Sequence, residues 1–157
     1  MECPVGIGEF RVAAAPGILV TRGLGSCVGV ILYDADARLG GLAHIMLPNS
    51  RDFLSFNNPY KFADLAIPAI IAEMRTRGAR MLRARLVGGA RMFANGVTRA
   101  GFDIGDRNAV QAKLMLVALA VPVVGEDLGG SVGRTVLLDI ALGRVTVRTV
   151  GHGAKTL

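Results

Sequence analysis

Cys27 lies in the run Thr21-Arg22-Gly23-Leu24-Gly25-Ser26-Cys27-Val28-Gly29-Val30, and His44 follows in Gly41-Leu42-Ala43-His44-Ile45-Met46-Leu47-Pro48. A thiolate is the strongest side-chain nucleophile at neutral pH, and a neighbouring imidazole can take the thiol proton and later return it. The small residues around the cysteine leave peptide N–H groups free to face a developing oxyanion. Those donors fall in Gly25-Ser26-Cys27. Such a set points to acyl transfer at a carbonyl through a thioester. Each residue alone also has a purely structural reading, because free cysteine is among the most buried residue types and a strand histidine commonly serves only the core.

The elements around the pair decide whether the two residues meet. Residues 27–33 (CVGVILY) and 38–47 (RLGGLAHIML) read as two β-strands flanking Asp34-Ala35-Asp36-Ala37. With those four residues as the hairpin loop, Tyr33 faces Arg38 and Cys27 faces His44. Opposite residues of an antiparallel pair share a face, with Cβ atoms about 4.5–5.5 Å apart. A two-residue shift keeps the pair on one face as diagonal neighbours, whereas a one-residue slip separates them.

The remaining pattern predicts strands over residues 6–13 and 17–21, then a polar loop from 49 to 58. Phe53, Leu54 and Phe56 in that loop serve either as a wall beside the site or as core contacts. Asn58-Pro59 has the form of an N-cap followed by a first-turn proline, and it opens a helix over 60–77 that stops at Gly78. Pro68 inside that helix predicts a kink or a local break. A strand over 82–87 enters the Gly88-Gly89-Ala90 turn. An irregular stretch from 91 to 105 follows, with Met92, Phe93 and Phe102 as apolar contacts. A second helix over 107–120, capped by Asp106 or Gly105, precedes a short strand over 121–124. Strands over 134–140 and 144–150 form a last hairpin, and the tail from 151 is expected to fray. This alternation predicts an α+β layered sandwich with a mixed, largely antiparallel sheet and two main helices, in one domain spanning 1–157.

Composition narrows the function classes. The chain has 157 residues, is 52% hydrophobic and has a mean hydropathy of +0.47, enough to build a core. Its longest apolar stretch, 114–125, is interrupted by Pro122 and falls short of the roughly 20 residues a membrane span needs. The N-terminus MECPVGIGEF lacks the basic and apolar regions of a signal peptide. Two cysteines, Cys3 and Cys27, make no disulfide framework, and a catalytic thiol fits a reducing cytoplasm. No His, Cys and carboxylate spacing suggests a metal site, and no phosphate-binding glycine motif suggests a cofactor. The net charge of +6 comes mostly from arginine, clustered only at Arg75, Arg77, Arg80, Arg83 and Arg85. With 5% aromatics and no tryptophan, a nucleic-acid stacking surface is not expected. The basic cluster reads as a solvated edge or as a face toward an acidic partner.

The order Thr21-x-x-Leu24-Gly25-Ser26-Cys27-Val28, then Gly41-x-x-His44-x-Met46-Leu47-Pro48, resembles the chemoreceptor glutamine deamidase family, CheD. The likeness continues through Lys61-Phe62-Ala63-Asp64, Gly88-Gly89-Ala90-x-Met92-Phe93 and Ile104-Gly105-x-Arg107-Asn108. It extends to Glu126-Asp127-x-Gly129-Gly130 and Gly133-Arg134, and so covers nearly the whole chain. The resemblance implies Cys27 as nucleophile, His44 as base and acid, and Thr21 as the residue that orients the imidazole. It implies hydrolysis of glutamine amides, and in some members of glutamyl methyl esters, on the cytoplasmic helices of chemoreceptors. It also implies a fold like the catalytic domain of cytotoxic necrotizing factor toxins. The alternative role is a regulatory module that docks and stimulates a CheC-type response-regulator phosphatase. A third possibility is a hydrolase of small molecules. Gly25 and Ser26, with Phe93 or Phe102, are the expected rim for substrate or partner. No cofactor or metal is expected, and no nucleic acid or membrane insertion.

Overall fold

The computed structural model describes residues 1–92 and 103–157. Within them the chain forms ten strands and two α-helices. Strands β1 (Glu2–Pro4), β3 (Ile18–Leu24), β8 (Arg134–Asp139), β9 (Arg144–Thr149) and β10 (Gly153–Thr156) make one sheet in the order β1-β3-β8-β9-β10. Strands β2 (Phe10–Ala14), β5 (Leu39–Ile45), β4 (Val28–Asp34), β6 (Arg83–Gly88) and β7 (Val123–Leu128) make the other, in the order β2-β5-β4-β6-β7. Each sheet is antiparallel except at one edge pair, β1 with β3 and β6 with β7. Helices α1 (Ala63–Thr76) and α2 (Ile104–Ala118) cover the outer face of the second sheet. The expected layered α+β sandwich is present, with its strands divided between two sheets.

Two cores follow from this layering. Strand β4 is buried on both faces, so its sequence is a nearly continuous apolar run. Val28, Val30 and Leu32 face the helices and meet Ile67, Ile70, Ile71 and Leu116. Cys27 and Ile31 face the other sheet and join Leu19, Leu24, Val136 and Leu138. In β5 the same alternation sends Ala43 and Ile45 to the helices and Leu42 to the inter-sheet core.

The hairpin between β4 and β5 closes two residues away from the expected register. Gly29 stands opposite His44, and Asp34 opposite Leu39. The cause is Asp34, which ends the strand and does not belong to the loop. Its buried carboxylate accepts from the N–H groups of Ala37, Arg80 and Met81 at 2.7–2.9 Å. One side chain thus fixes the turn and the connection into β6. The loop moves to 35–38, with Arg38 at φ 54°.

Several boundaries are corrected. The Asn58-Pro59 signal caps a 3-10 turn, Pro59–Lys61, where the Asn58 side chain accepts from the Tyr60 N–H. Helix α1 starts after it, at Ala63, and runs through Pro68 without a break. At its end Gly78 takes φ 105°, and the Ala79 N–H reaches back to the Met74 carbonyl, as a left-handed stop residue allows. Helix α2 starts three residues early because Asp103 supplies the cap, its carboxylate accepting from the Gly105 N–H at 2.8 Å. Strand β7 runs to Leu128, and the tail forms β10 against β9 where fraying was expected. Phe53 and Phe56 pack over Phe62, with ring centroids 5.3 and 4.9 Å away. Phe93 and Phe102 lie outside the described residues.

Candidate functional site

His44 is held from the opposite sheet. It sits on β5 facing Gly29, and a side chain at position 29 would press on Leu24, 3.1 Å from its Cβ. The absence of one leaves the inter-sheet space that Thr21 and His44 share. Thr21 Oγ1 is 2.7 Å from His44 Nδ1 and also 2.7 Å from the Val5 carbonyl. A carbonyl only accepts, so the single hydroxyl proton goes to Val5. The hydroxyl oxygen must then accept from Nδ1–H. This order fixes the tautomer: Nδ1 carries the proton and Nε2 carries the lone pair. Nε2 is buried and has no hydrogen-bond partner among the described residues. Thr21 and His44 are each 1% exposed.

Cys27 lies on the same inter-sheet face, two residues before Gly29, and is therefore a diagonal neighbour of His44. Such neighbours remain within reach of a long or ring side chain. The turn before Cys27 is clamped by the Gly88-Gly89-Ala90 turn. Gly89 N–H donates to the Cys27 carbonyl and Ala90 N–H to the Gly25 carbonyl, both at 2.9 Å. Gly88 has φ 116°, and any Cβ there would run into the Cys27 carbonyl.

Of the three expected oxyanion donors, Gly25 N–H is already taken by the Gly23 carbonyl at 3.0 Å. The Ser26 and Cys27 N–H groups have no backbone acceptor among the described residues. A cavity of about 290 Å³ opens over them. Gly25, Ser26, Cys27, Met92, Asp103 and Ile104 line it.

Electrostatics keep the resting pair uncharged. Burial pushes the Cys27 thiol up, only partly offset by its own backbone N–H. Burial brings the His44 imidazole down from 6.5 to about 4. Both shifts oppose a thiolate–imidazolium pair. At neutral pH the site rests as thiol and neutral imidazole, so a preformed thiolate is not what this geometry favours.

Two residues near the site escaped the sequence reading. Asp103, the α2 cap, lines the cavity beside Cys27. Asn108 is fully buried, and its side-chain N–H groups donate to the Ser26 carbonyl at 2.9 Å and the Met46 carbonyl at 3.0 Å. The signal for Asn108 was available: it is the polar member of the buried stripe Gly105, Asn108, Ala112, Leu116. No group of three or more His, Cys, Asp or Glu side chains suited to a metal occurs among the described residues. No helix among them is long and apolar enough to cross a membrane.

Comparison with known proteins gives one family. The model for CheD, chemotactic sensory transduction, matches residues 46–149. A Moorella thermoacetica protein named probable chemoreceptor glutamine deamidase CheD is 49% identical over 159 residues, covering 99% of this chain and 95% of its own. Proteins of the same name from Clostridium kluyveri and Clostridium acetobutylicum are 47% and 45% identical over 158 residues. Each alignment covers 99% of this chain, and 98% and 95% of the respective relative. The family match begins after Thr21, Cys27 and His44, whereas the full-length similarities run through them.

Proposed function

The chain belongs to the CheD family, and from that premise we propose that it is a cysteine-dependent amidohydrolase acting on glutamine side chains of chemoreceptors. The observation that carries the mechanism is the Thr21 hydroxyl, which spends its proton on Val5 and so leaves His44 Nε2 as a base. Nε2 takes the Cys27 thiol proton as sulfur attacks the amide carbon. The oxyanion is met by the Ser26 and Cys27 N–H groups. The imidazolium returns its proton to the amide nitrogen, the C–N bond breaks and ammonia leaves a thioester. Water, deprotonated by the same Nε2, then releases glutamate and the thiol. A glutamyl methyl ester follows the same course with methanol as leaving group.

Because thiol and imidazole start neutral, proton transfer and attack are coupled, and substrate is what draws the charge out. The low basicity of a buried imidazole makes its conjugate acid strong, which favours protonation of the leaving nitrogen. Thr21, being neutral, adds orientation rather than charge. The test is mass spectrometry of a chemoreceptor cytoplasmic fragment incubated with the protein. We expect glutamine-to-glutamate conversion, lost in Cys27→Ala with the fold retained. Conversion surviving in Cys27→Ala would overturn the mechanism.

Docking of a CheC-type phosphatase is a second role within the same reading. Exposed Met46 and Met92 supply apolar contacts, and Met92 lines the Cys27 cavity itself. If partner and receptor share that rim, saturating phosphatase suppresses deamidation. An unchanged rate would separate the two surfaces.

A further inference from the structure

Strands β4 and β5 are paired up to Val28 and Ile45, and then they part. The next rung would have joined Cys27 to Met46. Beyond Ile45 the second strand turns away, and the N–H groups of Met46 and Leu47 both donate to the Lys61 carbonyl. The first strand is preceded by the bend at 25–27. The pair therefore loses its backbone ladder at the point where Cys27 and His44 must be held together.

We infer that Asn108 replaces the missing rung and is a positioning residue for the Cys27–His44 pair. One side-chain amide bridges the two strand ends, donating to Ser26 O, one residue before the nucleophile, and to Met46 O, two residues after the base. Both of its N–H donors are used, and both acceptors are carbonyls, so only the amide nitrogen satisfies the geometry. The rest of α2 is arranged to bring it there. Gly105 lies against the Gly88-Gly89-Ala90 turn so closely that a Cβ would sit 2.5 Å from the Ala90 carbonyl. That approach sets the first turn of α2 directly over the site, and Asn108 follows three residues on. An asparagine in an otherwise apolar helical stripe leaves its Oδ1 buried without a partner among the described residues. A merely structural position would be filled more stably by an apolar side chain.

The inference rests on the Cys–His reading of the site, and the experiment separates the two. Asn108→Ala removes the bridge; Asn108→Leu keeps the shape without the donors and buries no charge, which guards against loss of fold in the first. Both are measured for deamidation of a receptor fragment and for iodoacetamide alkylation of Cys27, each with and without His44→Ala. A displacement near 1 Å costs about 100-fold, so kcat falls by about that factor while KM stays within about threefold. Alkylation, in which Nε2 takes the thiol proton as sulfur attacks, slows in His44→Ala and in each Asn108 variant, and the combined variants are no slower than His44→Ala. Leu116→Ala, buried on the same helix, supplies matched destabilisation with kcat little changed. Effects of Asn108 and His44 that multiply, or a kcat loss in Leu116→Ala as large as in Asn108→Ala, would overturn the inference alone. Alkylation and deamidation indifferent to His44→Ala would overturn the Cys–His reading and the inference with it.

Discussion

Burial of an uncharged histidine has a measurable signature in stability. The His44 imidazole falls from 6.5 to about 4 on folding because it is taken out of water. Below pH 6.5 the unfolded chain takes up a proton at this position that the native chain refuses until pH falls near 4. The unfolded state therefore binds more protons in that window, and stability drops as pH is lowered through it. At 1.36 kcal/mol per pKa unit the full loss is about 3 kcal/mol, and at pH 5 it is already about 2 kcal/mol. Urea unfolding of the wild type and of His44→Gln across the window isolates the effect, since glutamine does not titrate. We expect the wild-type curve to fall relative to the variant by about 2 kcal/mol between neutral pH and pH 5, and to run parallel to it below pH 4. In the same window the base form of His44 persists, so the acid limb of kcat/KM lies well below pH 6.5. Parallel stability curves with an acid limb near 6.5 would refute the claim that His44 is buried as the neutral base.

Three other outcomes follow from the same geometry. Thr21→Val keeps the shape but strands the Val5 carbonyl and the His44 Nδ1–H; it costs about 1–3 kcal/mol for each unpaired group and lowers kcat less than His44→Ala does, as denaturant titration and steady-state kinetics will show. Iodoacetamide near neutral pH labels Cys27 more slowly than an unperturbed thiol, because the thiol is pushed up and its partner down; faster labelling would restore a thiolate–imidazolium resting state. Gly105→Ala forces a Cβ against the Ala90 carbonyl and the Gly89 backbone, so it lowers both melting temperature and kcat although alanine is the better helix former.

The hairpin shows how far sequence could go. The pattern of residues 27–33 and 38–47 placed both strands to within a residue or two and put Cys27 and His44 on one face. It did not set the register, because that depended on Asp34 finding the N–H groups of Arg80 and Met81, far away along the chain. A two-residue shift preserved the face, so the site survived the error. Helix α2 was misplaced for a related reason: Asp103 and Asp106 are both credible caps by type, and only Gly105 packing against the Gly88 turn decides between them. The tail shows the opposite limit. Gly153–Thr156 has little apolar character and is a strand only because β9 offers it an edge. Asn108 carried a visible anomaly, a polar residue in a buried stripe, but its acceptors come from two other segments of the chain.

The sheet order also dictates when the site comes into being. Thr21, Cys27 and His44 all lie within the first 44 residues and leave the ribosome early. That segment alone flanks only the strand of His44, since β5 lies between β2 and β4. The strand of Thr21 lies between β1 and β8, with Thr21 itself opposite Val136, and β4 needs β6 on its far side. The clamp at Gly88–Ala90 and the bridge at Asn108 are later still. Cys27 acquires these neighbours only once the later segments have been synthesised. The site is thus held by segments that follow it in the chain, and a product that stops before β8 lacks the strand that pairs with Thr21.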